Sequence, residues 1–380
     1  MSWKAVKIKE EKIKFIADYL KREYYFNDLC NRYGISRKTG YKLINRFNTE
    51  GESAIEERSH CRHTHPNLTD FTIQEKLIAL KHRYPKWGPL KLRQWLEINK
   101  AGQWPAASTI GEVLKRHGLV MPRKYRKKVA AHSEPLMHCH GPNQVWSADF
   151  KGQFRLGNAR YCYPLTISDN HSRFLLACDG FESPNLTNTQ KSFERAFKEY
   201  GLPHAIRTDN GQPFAGLGIG GLTRLSIWWL KLGIVPERID LGAPQQNGRH
   251  ERMHKTLKEA VSVKKDFKKQ QLCFEEFRQE YNRERPHEAL KGQRPADVYV
   301  PSSRILLKLQ PEVVYPHFFE IRKVKTNGEI RWFGKRYYLS ELLVGEPVGC
   351  EMIDEGRATI YFAKFKLGII DARGDKIIRL

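Results

Sequence analysis

Apolar residues in the first fifty positions recur at helical spacing. Ile13, Ile16, Ala17 and Leu20 follow the i, i+3, i+4, i+7 pattern of an amphipathic helix. A second helix is predicted from Asn27 to Tyr33, Gly34 marks a turn, and Ser36 is placed to cap a third helix from Arg37 to Phe47 that buries Leu43, Ile44 and Phe47. A second helical unit follows, with helices predicted at 72–84, 89–99 and 107–117. They are separated by Pro85-Lys86-Trp87-Gly88-Pro89 and Gln103-Trp104-Pro105, and Ser108 or a neighbour caps the last, which buries Ile110, Val113 and Leu114.

From about Gln144 the period changes. Val145–Phe150, Tyr161–Ser168 and Arg173–Phe181 read as strands, Leu186–Tyr200 as a helix, His204–Thr208 as a short strand, and 221–232 and 246–262 as further helices. Three strands followed by alternating helix and strand indicate an α/β layered domain with a mixed sheet. In the last eighty residues Glu320–Thr326 and Glu329–Phe333 flank Asn327-Gly328, a strong hairpin signal. More short strands at Lys335–Leu339, Val348–Ile353 and Arg357–Phe362 then suggest a small β-barrel.

The 380-residue chain is therefore expected to be multidomain. An all-α unit at 1–55 is joined by a linker at 56–70 to a second helical unit, helix-turn-helix or winged helix, at 71–120. A basic linker at 121–140 leads into the α/β core at 141–300, and the small barrel occupies 301–380.

Lys and Arg number 66 against 42 Asp and Glu, a formal net charge of +24. Such an excess suits a polyanionic partner bound through counterion release from phosphates. No apolar run is long enough to span a membrane, so nucleic acid is the favoured partner. Seven scattered cysteines without C-x-x-C spacing argue for reduced thiols rather than disulfides or a thiolate zinc site. The His-rich patches around Cys61 to His65 and His138 to His140 are read as linker residues.

The first three helices have helix-turn-helix character, and the outward face of the third carries Arg37, Lys38, Tyr41, Lys42 and Asn45, side chains suited to a major groove. Lys115 and Arg116 lie on the exposed side of the sixth helix, and Lys124, Arg126 and Lys127 belong to the basic linker that would track phosphates.

Three acids stand out against this background. Asp149 lies inside the strand Trp146-Ser-Ala-Asp-Phe150, where a carboxylate needs a cation or partner. Asp209 ends a strand immediately before Asn210-Gly211, a tight turn that leaves it at the rim where α/β sheets bind ligands. Glu251 sits on a helix whose face, if the helix starts near Gln246, also carries Asn247, Lys255 and Lys258. Oxygen ligands of this kind select Mg²⁺ or Mn²⁺, and two such ions would drive phosphodiester cleavage or transfer. Asp169 and Asp240 are weaker alternatives, the first as a hairpin turn residue and the second as a loop acid. Arg283, Arg285 and His287 are read equally as DNA contacts or as a polar helix end. Trp228 and Trp229 are assigned to a core or a dimer interface.

The stretches WSADFKG, IRTDNGQPFAG, LGIVPERIDLGAPQQNGRHERMHKTLKEA and YNRERPHEAL resemble the integrase core of bacterial insertion-sequence transposases, the ribonuclease-H-like DDE group that includes retroviral integrases. The resemblance implies that Asp149, Asp209 and Glu251 form a metal-binding catalytic triad with Lys258 as a DNA contact, to which Asn247, Arg249 and Lys255 of the same segment are added. It implies a DNA transposase that binds element ends and target DNA, cuts and joins strands, works as a homodimer or larger oligomer, and resides in the bacterial cytoplasm with the nucleoid. A sequence-specific regulator that no longer cuts is the alternative. The segment between Asp209 and Glu251 is longer than usual in that group, and Gly216-Leu-Gly-Ile-Gly-Gly221 is expected to be a flexible flap that accommodates the surplus.

Overall fold

The computed structural model describes residues 8–56, 68–120, 139–216, 218–240, 244–308 and 312–379. The chain divides after Leu68 into two units. Among the described residues no helix is long and apolar enough to cross a membrane. Lys124, Arg126, Lys127 and the histidines of the first linker lie outside the described residues.

The first unit holds α1 (Ile8–Lys21), α2 (Phe26–Arg32) and α3 (Arg37–Glu50). Gly34 takes φ 67° at the turn, and Ser36 caps α3 by accepting the Thr39 N–H. Gly40 lets α3 approach α2 closely, since a Cβ there would stand 2.8 Å from the Cys30 sulfur. The buried face of α1 differs from the expected one. Phe15 and Ile16 are buried, whereas Ile13, Ala17 and Leu20 are exposed. Phe15 meets the rings of Tyr33 and Phe26 edge-on at 5.4 and 6.3 Å, and this aromatic contact orients the helix instead of the aliphatic stripe.

The second unit opens with α4 (Phe71–Arg83), α5 (Pro89–Asn99) and α6 (Ala107–Arg116), packed around Leu77, Trp87, Leu92, Ile110, Val113 and Leu114. Asp70 caps α4 through the Thr72 N–H, and Pro89 begins α5. Ser108 does not cap α6. The helix starts after Ala106 without a side-chain cap, which puts Ser108 inside its first turn. No strand accompanies these helices among the described residues. They are tied to the α/β core through Glu284, which accepts from the Tyr84 hydroxyl and from Arg83.

The core contains β1 (Val145–Phe150), β2 (Phe154–Arg155), β3 (Tyr161–Asp169), β4 (Leu175–Phe181), α7 (Leu186–Tyr200), β5 (Ala205–Thr208), α8 (Arg224–Lys231), β6 (Val235–Arg238), α9 (Gly248–Ala260) and α10 (Phe267–Arg283). The sheet runs β2-β3-β1-β5-β6, with β4 on β3. Strands β1, β3 and β4 pair antiparallel, while β5 and β6 continue parallel to β1, so the sheet is mixed as expected. β2 and β6 are the core strands that the sequence pattern did not reveal. One face packs on α7 and α8 through Trp146, Leu165, Phe193, Phe197 and Trp229, and the other on α9 and α10 through Leu175, Met253, Leu257 and Phe274.

The C-terminal strands β7 (Glu320–Lys323), β10 (Pro347–Asp354), β11 (Arg357–Phe362), β12 (Phe365–Asp371) and β13 (Lys376–Arg379) form one antiparallel sheet in the order β13-β12-β11-β10-β7. A separate pair, β8 (Glu329–Trp332) and β9 (Lys335–Tyr338), completes the region. The chain does turn at Asn327-Gly328, where the Lys325 N–H donates to the Glu329 carbonyl, but no ladder follows, because β7 pairs with β10 and β8 with β9. β8 turns into β9 at Phe333-Gly334, both at positive φ as a two-residue hairpin loop requires.

The glycine-rich loop is not a free flap. Ile219 and Leu222 are buried in the core of the C-terminal region, and Arg238 donates to the carbonyls of Gly220 and Gly221. Ile219 between the glycines and Leu222 after them anchor the described part of the loop.

Candidate functional site

Alternation along β1 sends Trp146 and Ala148 into the core beneath α7 and α8, so Ser147 and Asp149 emerge on the face covered by α9. On β5, Ile206 enters the same core and Arg207 faces the other way, donating to the Gln246 carbonyl just ahead of α9. Asp209 follows β5 with the parity of Arg207. The Gly211 N–H closes a turn onto its carboxylate at 3.1 Å, and Asn210 donates to the Ile239 carbonyl at 2.7 Å. A Cβ on Gly211 would stand 3.0 Å from the Asp209 carboxylate, so any side chain there would press on that carboxylate.

Asp149, Asp209 and Glu251 therefore come from β1, the end of β5 and α9 to one side of the sheet. The Asp149 side chain is only 21% exposed. Burial first, then the charge of Asp209, with a smaller push from Glu251, raise its carboxyl to about 7. Glu251 is exposed. Among the described residues no group of three or more His, Cys, Asp or Glu side chains is gathered into a ready metal site. The chemistry of the donors nonetheless fits a hard divalent cation: three carboxylates, mutually repelling, on one face.

Two histidines that the sequence reading passed over support this arrangement from below. The Nε2 atoms of His250 and His254 lie 2.8 and 2.6 Å from the Thr166 hydroxyl on β3, and His250 Nδ1 lies 2.9 Å from the Ser168 hydroxyl. His254 Nδ1 stands 3.6 Å from the Asp149 carboxylate. Burial, then the neighbouring His254, holds His250 well below the usual imidazole range; burial and then Lys151 push His254 down to about 3. Both rings are thus neutral polar struts. Their signal in the sequence was the i, i+4 spacing on either side of Glu251, which puts both on the inward side of α9.

The remaining expected site residues divide by position. Arg37, Lys38, Tyr41, Lys42 and Asn45 are all exposed on α3, as are Lys115 and Arg116 on α6, and Arg249, Lys255 and Lys258 on α9. Asn247 departs from that group: α9 begins at Gly248, so Asn247 stands before its first turn and is 5% exposed, not part of an outward stripe. Asp169 is fully committed to its turn, accepting from the Asn143 N–H and from both the N–H and hydroxyl of Ser172. Asp240 is exposed and bound to Gln246.

Residues 140–243 and 232–295 each match a family described as integrase core domain. This chain carries an integrase core. Residues 39–114 match a homeodomain-like helix-turn-helix family, and 319–377 match the C-terminal domain of IS481 family transposases. The chain is 25% identical over 236 residues to an uncharacterized 31.7 kDa protein of insertion element IS407 from Burkholderia multivorans, covering 61% of this chain and 82% of that protein. It is 27% identical over 172 residues to an uncharacterized 39.2 kDa protein of insertion element IS476 from Xanthomonas euvesicatoria, covering 44% and 47%. With the Pol polyprotein of a radiation murine leukemia virus it shares 29% identity over 123 residues, 32% of this chain and 20% of that one. All three acids lie within the segments matched as integrase core.

Proposed function

We propose that this chain is a DNA transposase that binds the ends of a mobile element, cuts phosphodiester bonds there and joins the ends to target DNA. The observation that carries the reading is the placement of Asp149, Asp209 and Glu251 on one side of an integrase-core sheet, near enough for Asp209 and Glu251 to act on the Asp149 charge. The helix-turn-helix match at 39–114, the net charge of +24 and the insertion-element relatives support DNA as the substrate.

In this reading Asp149, Asp209 and Glu251 hold Mg²⁺ or Mn²⁺, two ions per site. Divalent ions so bound would activate a water or a DNA 3′-hydroxyl and stabilise the leaving oxygen of an in-line displacement. Asp149 supplies a ligand from a strand, Asp209 one from the turn that follows β5, and Glu251, exposed on its helix, supplies the ligand that can reorient. His254 and His250 fix α9 against β3, so Glu251 keeps its station relative to the two aspartates. The exposed cations of α3, α6 and α9 hold DNA phosphates, and the C-terminal strands, curled as a small barrel, add DNA or subunit contacts. A dimer or larger assembly brings two ends together.

The test incubates labelled duplexes bearing the inverted repeats that flank the gene with target DNA, protein and Mg²⁺ or Mn²⁺. Metal-dependent nicking and joining, both lost in Asp209→Asn while DNA binding persists, is the expected result. Tight binding with neither reaction would favour a regulator that no longer cuts.

A further inference from the structure

Beside α9, on the flank away from Asp149, lies a cavity of about 320 Å³. Its walls come from four separate parts of the chain: Lys91 from α5, Arg173 from the β3–β4 turn, Arg249 and Arg252 from α9, and Arg285 from the segment after α10. Glu259 and Glu288 also line it, but among the described residues the cavity contains only one ion pair, Lys255 with Glu259 at a loose 3.9 Å.

Such a concentration of like charge is costly unless a ligand offsets it. Burial first, then Arg285 and Arg252, push the Lys91 amine down to about 8; burial and then Arg249 push Arg173 to about 10. The His287 ring stands edge-on to buried Tyr281 at 4.7 Å, and its Nε2 is buried with no hydrogen-bond partner. Of these cations Arg173 and Arg249 donate to the Asn170 carbonyl, whereas among the described residues the half-buried Lys91 and Arg285, the exposed Arg252 and the His287 imidazole nitrogen Nε2 line the open space without a hydrogen bond.

We infer that this cavity is a phosphate-binding pocket, and that its ligand is a backbone phosphate of the DNA engaged by α9. Guanidinium forks match phosphate oxygens bidentately, and several converging on one group is the arrangement that a dianionic or diester phosphate rewards. DNA is the source because the pocket shares the first turns of α9 with Glu251: Arg252 is its next residue and Arg249 lies two before it. A phosphate seated here fixes the strand relative to Glu251. It also couples that strand to α5, hence to the helical unit 71–116. The inference rests on the proposed function for its source of phosphate, and on the cavity alone for its chemistry.

The test uses the full chain with Arg252→Gln, Arg285→Gln, the double variant and Arg285→Lys. DNA affinity is measured against salt, and thermal unfolding is followed with inorganic phosphate against chloride at equal ionic strength. Because the two arginines share one phosphate, each single variant should lower the salt slope by about one, and the double variant by little more. Arg285→Lys should restore part of the affinity. Inorganic phosphate at about tenfold its dissociation constant should raise the wild-type midpoint by about 3 °C and leave both single Gln variants unmoved. Additive losses of slope in the double variant would overturn the pocket in favour of independent surface contacts. An unchanged slope with phosphate stabilisation intact in wild type and lost in the variants would overturn the DNA assignment, leaving free phosphate as the ligand. Wild-type protein that binds no DNA would sink the transposase reading, and the inorganic-phosphate arm would then decide the pocket alone.

Discussion

Asp149 on β1 and Asp209 just past the end of β5 follow the register of two neighbouring parallel strands. Ser147 on β1 is paired in register with Arg207 on β5, and two residues further along the chain from each come the two aspartates, Asp149 still on β1 and Asp209 just after β5. The sheet thus juxtaposes two carboxylates far apart in sequence, and α9 contributes Glu251 above them.

Asp149→Asn should affect stability and activity in opposite directions. Without divalent ions, losing a buried charge that faces Asp209 and Glu251 should stabilise the fold by on the order of 1–3 kcal/mol in urea unfolding with chelator present. Metal-dependent nicking should disappear, and Mg²⁺ or Mn²⁺, which should raise the wild-type unfolding midpoint, should no longer do so. A destabilised Asp149→Asn protein would mean that the carboxylate is a structural partner.

Thr166→Val tests the struts beneath α9. It removes the hydroxyl shared by His250 and His254 and leaves two buried imidazole nitrogens unsatisfied. A loss of roughly 2–4 kcal/mol is expected from denaturant curves. A change below about 0.5 kcal/mol would show that the network does not hold α9.

His287 gives the fold an acid-sensitive component. Burial, then Lys91 and Arg285, lower its folded pKa to about 3. The unfolded chain therefore takes up a proton at about pH 6.5 that the folded chain refuses until about 3, so stability should fall as pH drops through that window. The slope from this group is about 1 kcal/mol per pH unit. Urea midpoints compared between pH 7 and pH 4.5 should show a smaller drop in His287→Gln than in wild type, and equal drops would contradict a buried neutral ring.

Gly221→Ala should loosen the seat of the C-terminal region. Gly221 has φ 62°, and an added Cβ would collide with the Arg238 guanidinium. A cost of about 2 kcal/mol or more is expected. Limited proteolysis should then cut near the glycine loop sooner than in wild type; an unchanged digestion rate would imply that the loop is not a fastening.

Lys42→Gln on α3 should weaken binding to all DNA duplexes alike and lower the salt slope by about one, as a phosphate contact does. Loss restricted to element-end sequences would instead assign Lys42 to base recognition.

The helices of both N-terminal units, strands β1, β3 and β4 of the core and the candidacy of the three acids were legible in the sequence, because each depends on local information. Apolar spacing sets helix and strand, Ser36, Gly34 and Pro89 mark boundaries, and a carboxylate inside an apolar strand or before Asn-Gly is conspicuous wherever the chain goes. What only the tertiary structure decided depends on partners distant in sequence. The face of α1 was set by Phe15 meeting Phe26 and Tyr33, and β7 left its expected hairpin to pair with β10. Ile219 and Leu222 pinned a glycine loop that looked free, and His250 and His254 found hydroxyls on β3. The cationic cavity also draws its walls from residues spread between Lys91 and Glu288. Spacing along the chain reports which side of an element is apolar; which element covers it, and what then faces the remaining space, is fixed by packing and by pairing of buried polar groups across the fold.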